Sequence, residues 1–240
     1  MSDAEIDARG LNWCNDVSPQ AQAAAVAEHI VDALQWSIDQ RGSASLALSG
    51  GRGPELFLRQ LEQSGLDWDK MTVTLVDERW VPEEDSQSNA GLLKRCMPGV
   101  LQRARWLPLY RGESLEADAQ AAHRALESLM PLDVVVLGMG DDGHTASLFP
   151  HMSGLAEYLS PDCTPLCVAV PAEGDRLARL SMTAAAIQSA GVKLLVISGE
   201  GKRQRLAAAL QQQDALAMPI EAFLNAPMDI FYSPDGEQNN

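Results

Sequence analysis

The chain has 240 residues, 46% of them hydrophobic, which is ample for the core of one large α/β domain and places it among globular rather than disordered sequences. Its 33 acidic residues against 18 basic ones give a formal net charge of −15, which argues against nucleic acid or an anionic membrane as partner, since both reward clustered Lys and Arg. No stretch approaches the roughly 20 apolar residues of a membrane span, and the opening MSDAEIDARGLNW is acidic and lacks the apolar core of a secretory signal.

Cys14, Cys96, Cys163 and Cys167 form no CxxC pair and no zinc-like cluster with histidine. They read as free thiols of a reduced, cytoplasmic protein. No internal repeat or low-complexity linker divides the chain, so a single domain over 1–240 is expected, with frayed tails at about 1–12 and 234–240.

In chain order a helix comes first: residues 19–40 place apolar side chains at helical spacing, with Ser18 as N-cap and Gly42 as the stop. Short runs rich in Val, Leu and Thr follow at 44–49, 71–77, 132–139, 166–170 and 193–198, several without alternation, as in strands covered on both faces. Helical patterns separate them at 54–64, 88–97, 114–130, 183–190 and 201–213. The alternation predicts an α/β fold: a three-layer α/β/α sandwich with a doubly wound, mostly parallel sheet. In such folds ligands bind at the carboxyl ends of the strands.

The strand-end loops are accordingly the informative segments. After the first strand, SGGRGP (49–54) offers unobstructed amides at Ser49, Gly50 and Gly51, a cation at Arg52, and Pro54 where a helix begins: an anion site or an ordinary strand-to-helix turn. After the second, DERW sets Asp77, Glu78 and Arg79 beside Trp80 and opens an irregular segment reaching Asn89, read either as a solvated turn or as a partly enclosed site. After the third, LGMGDDGHTASLFP contains the Gly138-x-Gly140-x-x-Gly143 pattern of a dinucleotide loop. That reading fails, because Pro150 interrupts the helix such a loop requires and the next strand begins only at Leu166. The segment instead presents Asp142, His144 and Thr145, with His144 the best acid–base candidate of the four histidines. Arg176 and Arg179 before a helix, and Lys202 after the last strand, add cations, and Arg52, Arg79, Arg179 and Lys202 at separate loops suggest a converging anion pocket. No GxSxG elbow of a serine esterase occurs.

Taken together, LALSGGRGP, VTLVDERWVPEEDSQSNAGL, LGMGDDGHTASLFP and RLSMT...VKLLVISGEGK resemble the 6-phosphogluconolactonase family over about residues 20–233. That family shares a modified doubly wound fold with glucosamine-6-phosphate deaminases, which carry a GHIAFNEP-like string where this chain has GHTASLFP. The resemblance implies a small sugar-phosphate lactone as substrate, no metal or organic cofactor, and a monomer or weak homo-oligomer. It also implies that the phosphate sits on the Ser49–Arg52 loop with Arg179 and Lys202, that His144 acts as general acid–base tuned by Asp142, and that Arg79 positions the lactone, with Asp77 and Asn89 also at the substrate. Two departures stand out: Gly53 replaces a usual Ser or Thr in the phosphate loop, and His151 follows LFP.

Overall fold

The computed structural model describes residues 6, 9–51, 53–225 and 227–234. Its centre is a seven-stranded sheet in which all paired strands run parallel. In spatial order these are β1 (Leu11–Asn15), β10 (Met228–Ser233), β9 (Val192–Ser198), β6 (Val134–Leu137), β2 (Ala44–Leu48), β3 (Met71–Leu75) and β5 (Arg105–Leu107). The five residues of β2 and the four of β6 are all buried, as the unbroken apolar runs ASLAL and VVVL require of strands covered on both faces. Each Val or Leu so buried contributes roughly 1.5–3 kcal/mol of transfer free energy.

Helices cover the sheet. The longest, α1 (Pro19–Arg41), packs along β2, β6, β9 and β10. It begins and ends where its residues dictate. Ser18 is extended and its Oγ accepts from the Ala21 amide at 3.2 Å, Pro19 supplies the first-turn φ, and Gly42 closes the helix in the left-handed region with its N–H on the Ile38 carbonyl. The helices α2 (Glu55–Glu62), α3 (Asn89–Cys96), α4 (Pro98–Arg103), α5 (Leu115–Glu127), α6 (Leu155–Tyr158), α7 (Ala184–Gln188) and α8 (Glu200–Gln212) follow in chain order.

A second, antiparallel sheet of β4 (Asp77–Arg79), β8 (Arg179–Met182) and β7 (Cys167–Val170) stands beside the first. The hand-over is at Val76, whose amide donates to the Leu48 carbonyl in the large sheet while its own carbonyl accepts from the Met182 amide in the small one. The run 71–77, expected as one strand, is therefore split between two sheets. The 166–170 run is a strand, but it belongs to the small antiparallel sheet rather than to the parallel array.

Three strands escape sequence reading because they are short or carry polar residues: β1, β5 and β8, the last lying where a pre-helix segment was expected. β10 was also not foreseen. One expectation is corrected outright: Leu11 and Asn12, assigned to a frayed tail, are paired with Met228 and Asp229 in the sheet. Residues 1–5, 7, 8 and 235–240 of the expected tails lie outside the described residues.

From β2 the sheet is extended one way by β3 and β5, and from β6 the other way by β9 and β10. The boundary between β2 and β6 is the topological switch point, and the fold opens a crevice at the carboxyl ends of the strands there.

Candidate active site

A cleft of about 490 Å³ occupies that crevice. It is lined by Ser49–Gly51 after β2, by Val136–Gly140 at the end of β6 and by Ser198 at the end of β9, with Asp77, Arg79 and Arg179 from the small sheet, and Asn89, His144 and Lys202.

The His144 wall is a tight turn closed by its own backbone. The Gly140 amide donates to the His144 carbonyl at 2.8 Å, the Gly143 amide to the Gly140 carbonyl at 3.1 Å, and Thr145 Oγ1 to the Gly138 carbonyl at 2.8 Å. Outside the turn, the Ile220 amide bonds the Gly143 carbonyl. Within it, Asp142 Oδ1 lies 2.6 Å from His144 Nδ1 and also accepts from the His144 amide at 3.0 Å. Partial burial would raise the Asp142 pKa, but the hydrogen bonds from His144 overcome it and hold the carboxyl at about 2. A carboxylate only accepts, so the proton between the two groups sits on Nδ1 and leaves Nε2, which has no hydrogen-bond partner among the described residues, as the other nitrogen of a ring that lines the cleft. Gly140 is required for this geometry: a Cβ there would fall 2.1 Å from His144 Nδ1 and 2.7 Å from Asp142 Oδ1.

A second wall of the cleft is cationic. Arg79 and Arg179 are register partners in the antiparallel β4–β8 ladder, like charges placed directly opposite, an arrangement that is unfavourable by itself. The Nε atoms of both are buried without a hydrogen-bond partner among the described residues, as is Ser49 Oγ. Arg79 also donates to the Gln87 carbonyl, and Arg179 lies 3.8 Å from Asp77 Oδ2. Burial lowers the Arg179 pKa, Asp77 opposes this, and the neighbouring Arg79 and Arg176 add to the lowering. Lys202, in the first turn of α8, pairs with Asp141 at 2.7 Å and holds that carboxyl below its usual range. Opposed cations with unmet donors suit a ligand bearing an oxyanion.

Between the walls the acidic residues of DERW are scaffolding. Glu78 is fully buried and caps the start of α3: its carboxylate accepts from the amides of Arg79, Asn89 and Ala90 at 2.7–2.8 Å and from Ser88 Oγ at 3.2 Å. Burial pushes its carboxyl up, the three amides pull it back, and the Asp77 charge pushes it up again. With α3 anchored, Asn89 Nδ2 donates to the Asp77 carbonyl at 2.8 Å. Asp77 Oδ2 in turn accepts from Ser147 Oγ at 2.6 Å. Asn89 fits only because Gly50 has no side chain, since a Cβ would lie 1.9 Å from Asn89 Oδ1.

The structure thus brings Ser49, Gly50, Gly51, Asp77, Arg79, Asn89, His144, Arg179 and Lys202 to one cleft, with Asp142 directly behind His144. Arg52 lies outside the described residues. Trp80 serves elsewhere: its Nε1 donates to the buried Asp118 and its ring packs edge-on against Tyr110. Sequence reading missed Glu78 as a helix anchor, although a buried-strand acid ahead of a Ser-Asn helix start is the available signal. It also missed Gln22, whose amide spans the Ile197 and Phe231 carbonyls from α1 while the residue lines the cleft. The other missed residue is Phe149, whose ring centroid lies 4.6 Å from that of His144.

Fold and site together define a doubly wound α/β protein whose switch-point cleft holds a His–Asp pair and a cluster of cations. The family model described as glucosamine-6-phosphate isomerases/6-phosphogluconolactonase matches residues 17–231, and the chain belongs to that family. Among curated relatives, a 6-phosphogluconolactonase of Pseudomonas putida is 46% identical over 214 residues, covering 88% of each chain. One from Pseudomonas aeruginosa is 43% identical over 220 residues, covering 90% of this chain and 92% of that protein. Among solved structures, a 6-phosphogluconolactonase from Shewanella baltica superposes with a TM-score of 0.88 at 34% identity, covering 93% of this chain and 97% of that one.

Proposed function

We propose that the protein hydrolyses 6-phospho-D-glucono-1,5-lactone to 6-phosphogluconate, the lactonase step of the oxidative pentose phosphate pathway. The observation that carries this reading is the His144–Asp142 pair, 2.6 Å apart, in one cleft with two arginines whose Nε donors are unmet among the described residues.

His144 Nε2 takes a proton from the attacking water as its oxygen bonds to C1 of the lactone. The same proton passes to the ring oxygen as the bond from C1 to that oxygen breaks, so the ring opens and a carboxylic acid forms, ionising in solution. Such a general acid–base is worth about 10²- to 10⁴-fold. Asp142, a carboxylate at working pH, fixes the Nδ1–H tautomer and stabilises the imidazolium formed in passing. Arg79 steadies charge developing on the carbonyl oxygen. The 6-phosphate is held by Ser49, the Gly50 and Gly51 amides, Arg52, Arg179 and Lys202, with Asp77 and Asn89 positioning the sugar. Lys202 reaches the ligand by leaving Asp141, whose side chain is 96% exposed and so holds it weakly. The chemistry needs no metal or organic cofactor. The reading places the protein in the cytoplasm, where this substrate is made.

The test generates the lactone in place from glucose 6-phosphate and its dehydrogenase and follows its decay against spontaneous hydrolysis. Acceleration that vanishes with unphosphorylated gluconolactone is the expected result. No acceleration sinks the reading, and ammonia release from glucosamine 6-phosphate would then move the protein to the deaminase branch.

A further inference from the structure

The hairpin joining β7 to β8 turns tightly. Glu173 and Arg176 exchange both backbone hydrogen bonds, at 3.1 and 3.0 Å, across Gly174 and Asp175, with Gly174 at φ +57°. The turn fixes where Arg176 leaves the backbone, three residues ahead of Arg179 on the same arm. Its guanidinium carbon lies 3.9 Å from the centroid of the buried Phe149 ring, and that of Arg179 lies 5.4 Å from the same centroid. The Phe149 ring, which also packs against His144, thus lies within cation–π reach of both arginines and offsets part of their mutual repulsion. Arg176 Nε is buried without a partner among the described residues, like the Nε atoms of Arg79 and Arg179. The anions facing this trio are Asp77, near Arg179, Glu78, engaged by four donors, and Glu173, which pairs with Arg176 through a carboxylate that is 74% exposed.

We propose that Arg176, which stands beside Arg179 on Phe149 just outside the residues lining the cleft and is restrained by Glu173, is a specificity-determining residue for the anionic group of the substrate, a third guanidinium that reaches the pair Arg79 and Arg179 when it leaves Glu173. The inference rests on the lactonase reading. A phosphate dianion carries more charge than the solvated Glu173 carboxylate and competes with it for Arg176, so the hairpin tip sets affinity for phosphorylated over unphosphorylated lactones. The effect belongs in KM, because the phosphate carries the same charge in the ground and transition states and the contact is therefore uniform binding.

Three variants test it. R176M keeps an apolar stem over Phe149 and removes the charge, and it should raise KM for the phosphorylated lactone about fivefold while leaving kcat and the unphosphorylated lactone unaffected. R176K should restore most of the lost affinity. E173Q should act in the opposite direction, lowering KM about twofold. A KM unchanged in R176M, or raised equally for both lactones, overturns the assignment. So does a fall in kcat that lysine does not rescue, which would mean that Arg176 merely packs on Phe149. Inorganic phosphate supplies a readout independent of turnover: it should stabilise wild-type protein against heat more than R176M. Equal stabilisation overturns the proposal even where the lactonase activity holds, and a wild-type protein inactive on the lactone sinks the lactonase reading without touching this result.

Discussion

The two walls of the cleft are built on opposite terms. On the His144 wall the turn is closed by backbone bonds from Gly140 and Gly143, and the Asp142 carboxylate already engages the imidazole. On the cationic wall Ser49 Oγ, Arg79 Nε and Arg179 Nε are buried with no partner among the described residues, and two guanidiniums oppose each other across a ladder. On the proposed function the first wall serves proton transfer and the second receives the substrate's anion. Damage to the first should therefore appear in kcat and damage to the phosphate-holding Arg179 and Lys202 of the second in KM, whereas Arg79, assigned to charge developing on the carbonyl oxygen, should act on kcat.

The largest effect is expected from H144A, which should lower kcat at least about a hundredfold with the thermal transition retained. Near-normal turnover would remove His144 from the mechanism. D142N comes next: its amide no longer enforces the Nδ1–H tautomer, and kcat should fall tenfold or so with KM little changed in steady-state kinetics. R179M should do the reverse, raising KM for the phosphorylated substrate about tenfold with kcat held within about twofold. If R179M lowered kcat alone, the division between the two walls would be wrong.

Two smaller effects probe the scaffold. E78Q sets a donating amide against the amides of Arg79, Asn89 and Ala90, and should lower stability by about 1–3 kcal/mol in chemical denaturation. The smallest concerns His29, which is not among the residues lining the cleft and whose Nε2 lies 3.0 Å from Asp229. The hydrogen bond to Asp229 raises the His29 pKa above 6.5, with burial opposing it. The stability from this pair is fully present below pH 6.5 and is lost as the pH rises through the higher folded value. The melting-temperature difference between wild type and H29Q should shrink across that interval, and a difference that grows with pH would contradict it. Because His29 is more than a third exposed, solvent screening limits the effect to tenths of a kcal/mol.

How much of this the sequence disclosed follows from the range of the interactions. Ser18 and Gly42 announce α1 because capping is local, and VVVL announces β6 because burial on both faces leaves an unbroken apolar run. Residues 71–77 read as one strand because nothing local marks Val76 as the point where hydrogen bonding passes from Leu48 to Met182, more than a hundred positions away. The same holds for the site. Asp142 and His144 lie two apart, so their partnership could be expected and needed only a geometry to be seen. The pairing of Arg79 with Arg179, and the anchoring of α3 by Glu78, depend on a small sheet assembled from three distant segments. Arg176 was legible as a cation, but its place beside Phe149 was not.

The position of β10 bears on how the chain assembles. Because β10 lies between β1 and β9, β1 gains its neighbour in the sheet only when β10, more than two hundred positions later in the chain, has been made. Pairing across so long a separation is slow, since the intervening chain must be brought to order before those hydrogen bonds form. Until then the nascent sheet ends at β9, whose open edge is free to pair with another chain. Removing β10 would leave β1 without a neighbour in the sheet and β9, still paired with β6, with an open edge, so a truncation before Met228 should show itself as aggregation during synthesis rather than as a small loss of activity.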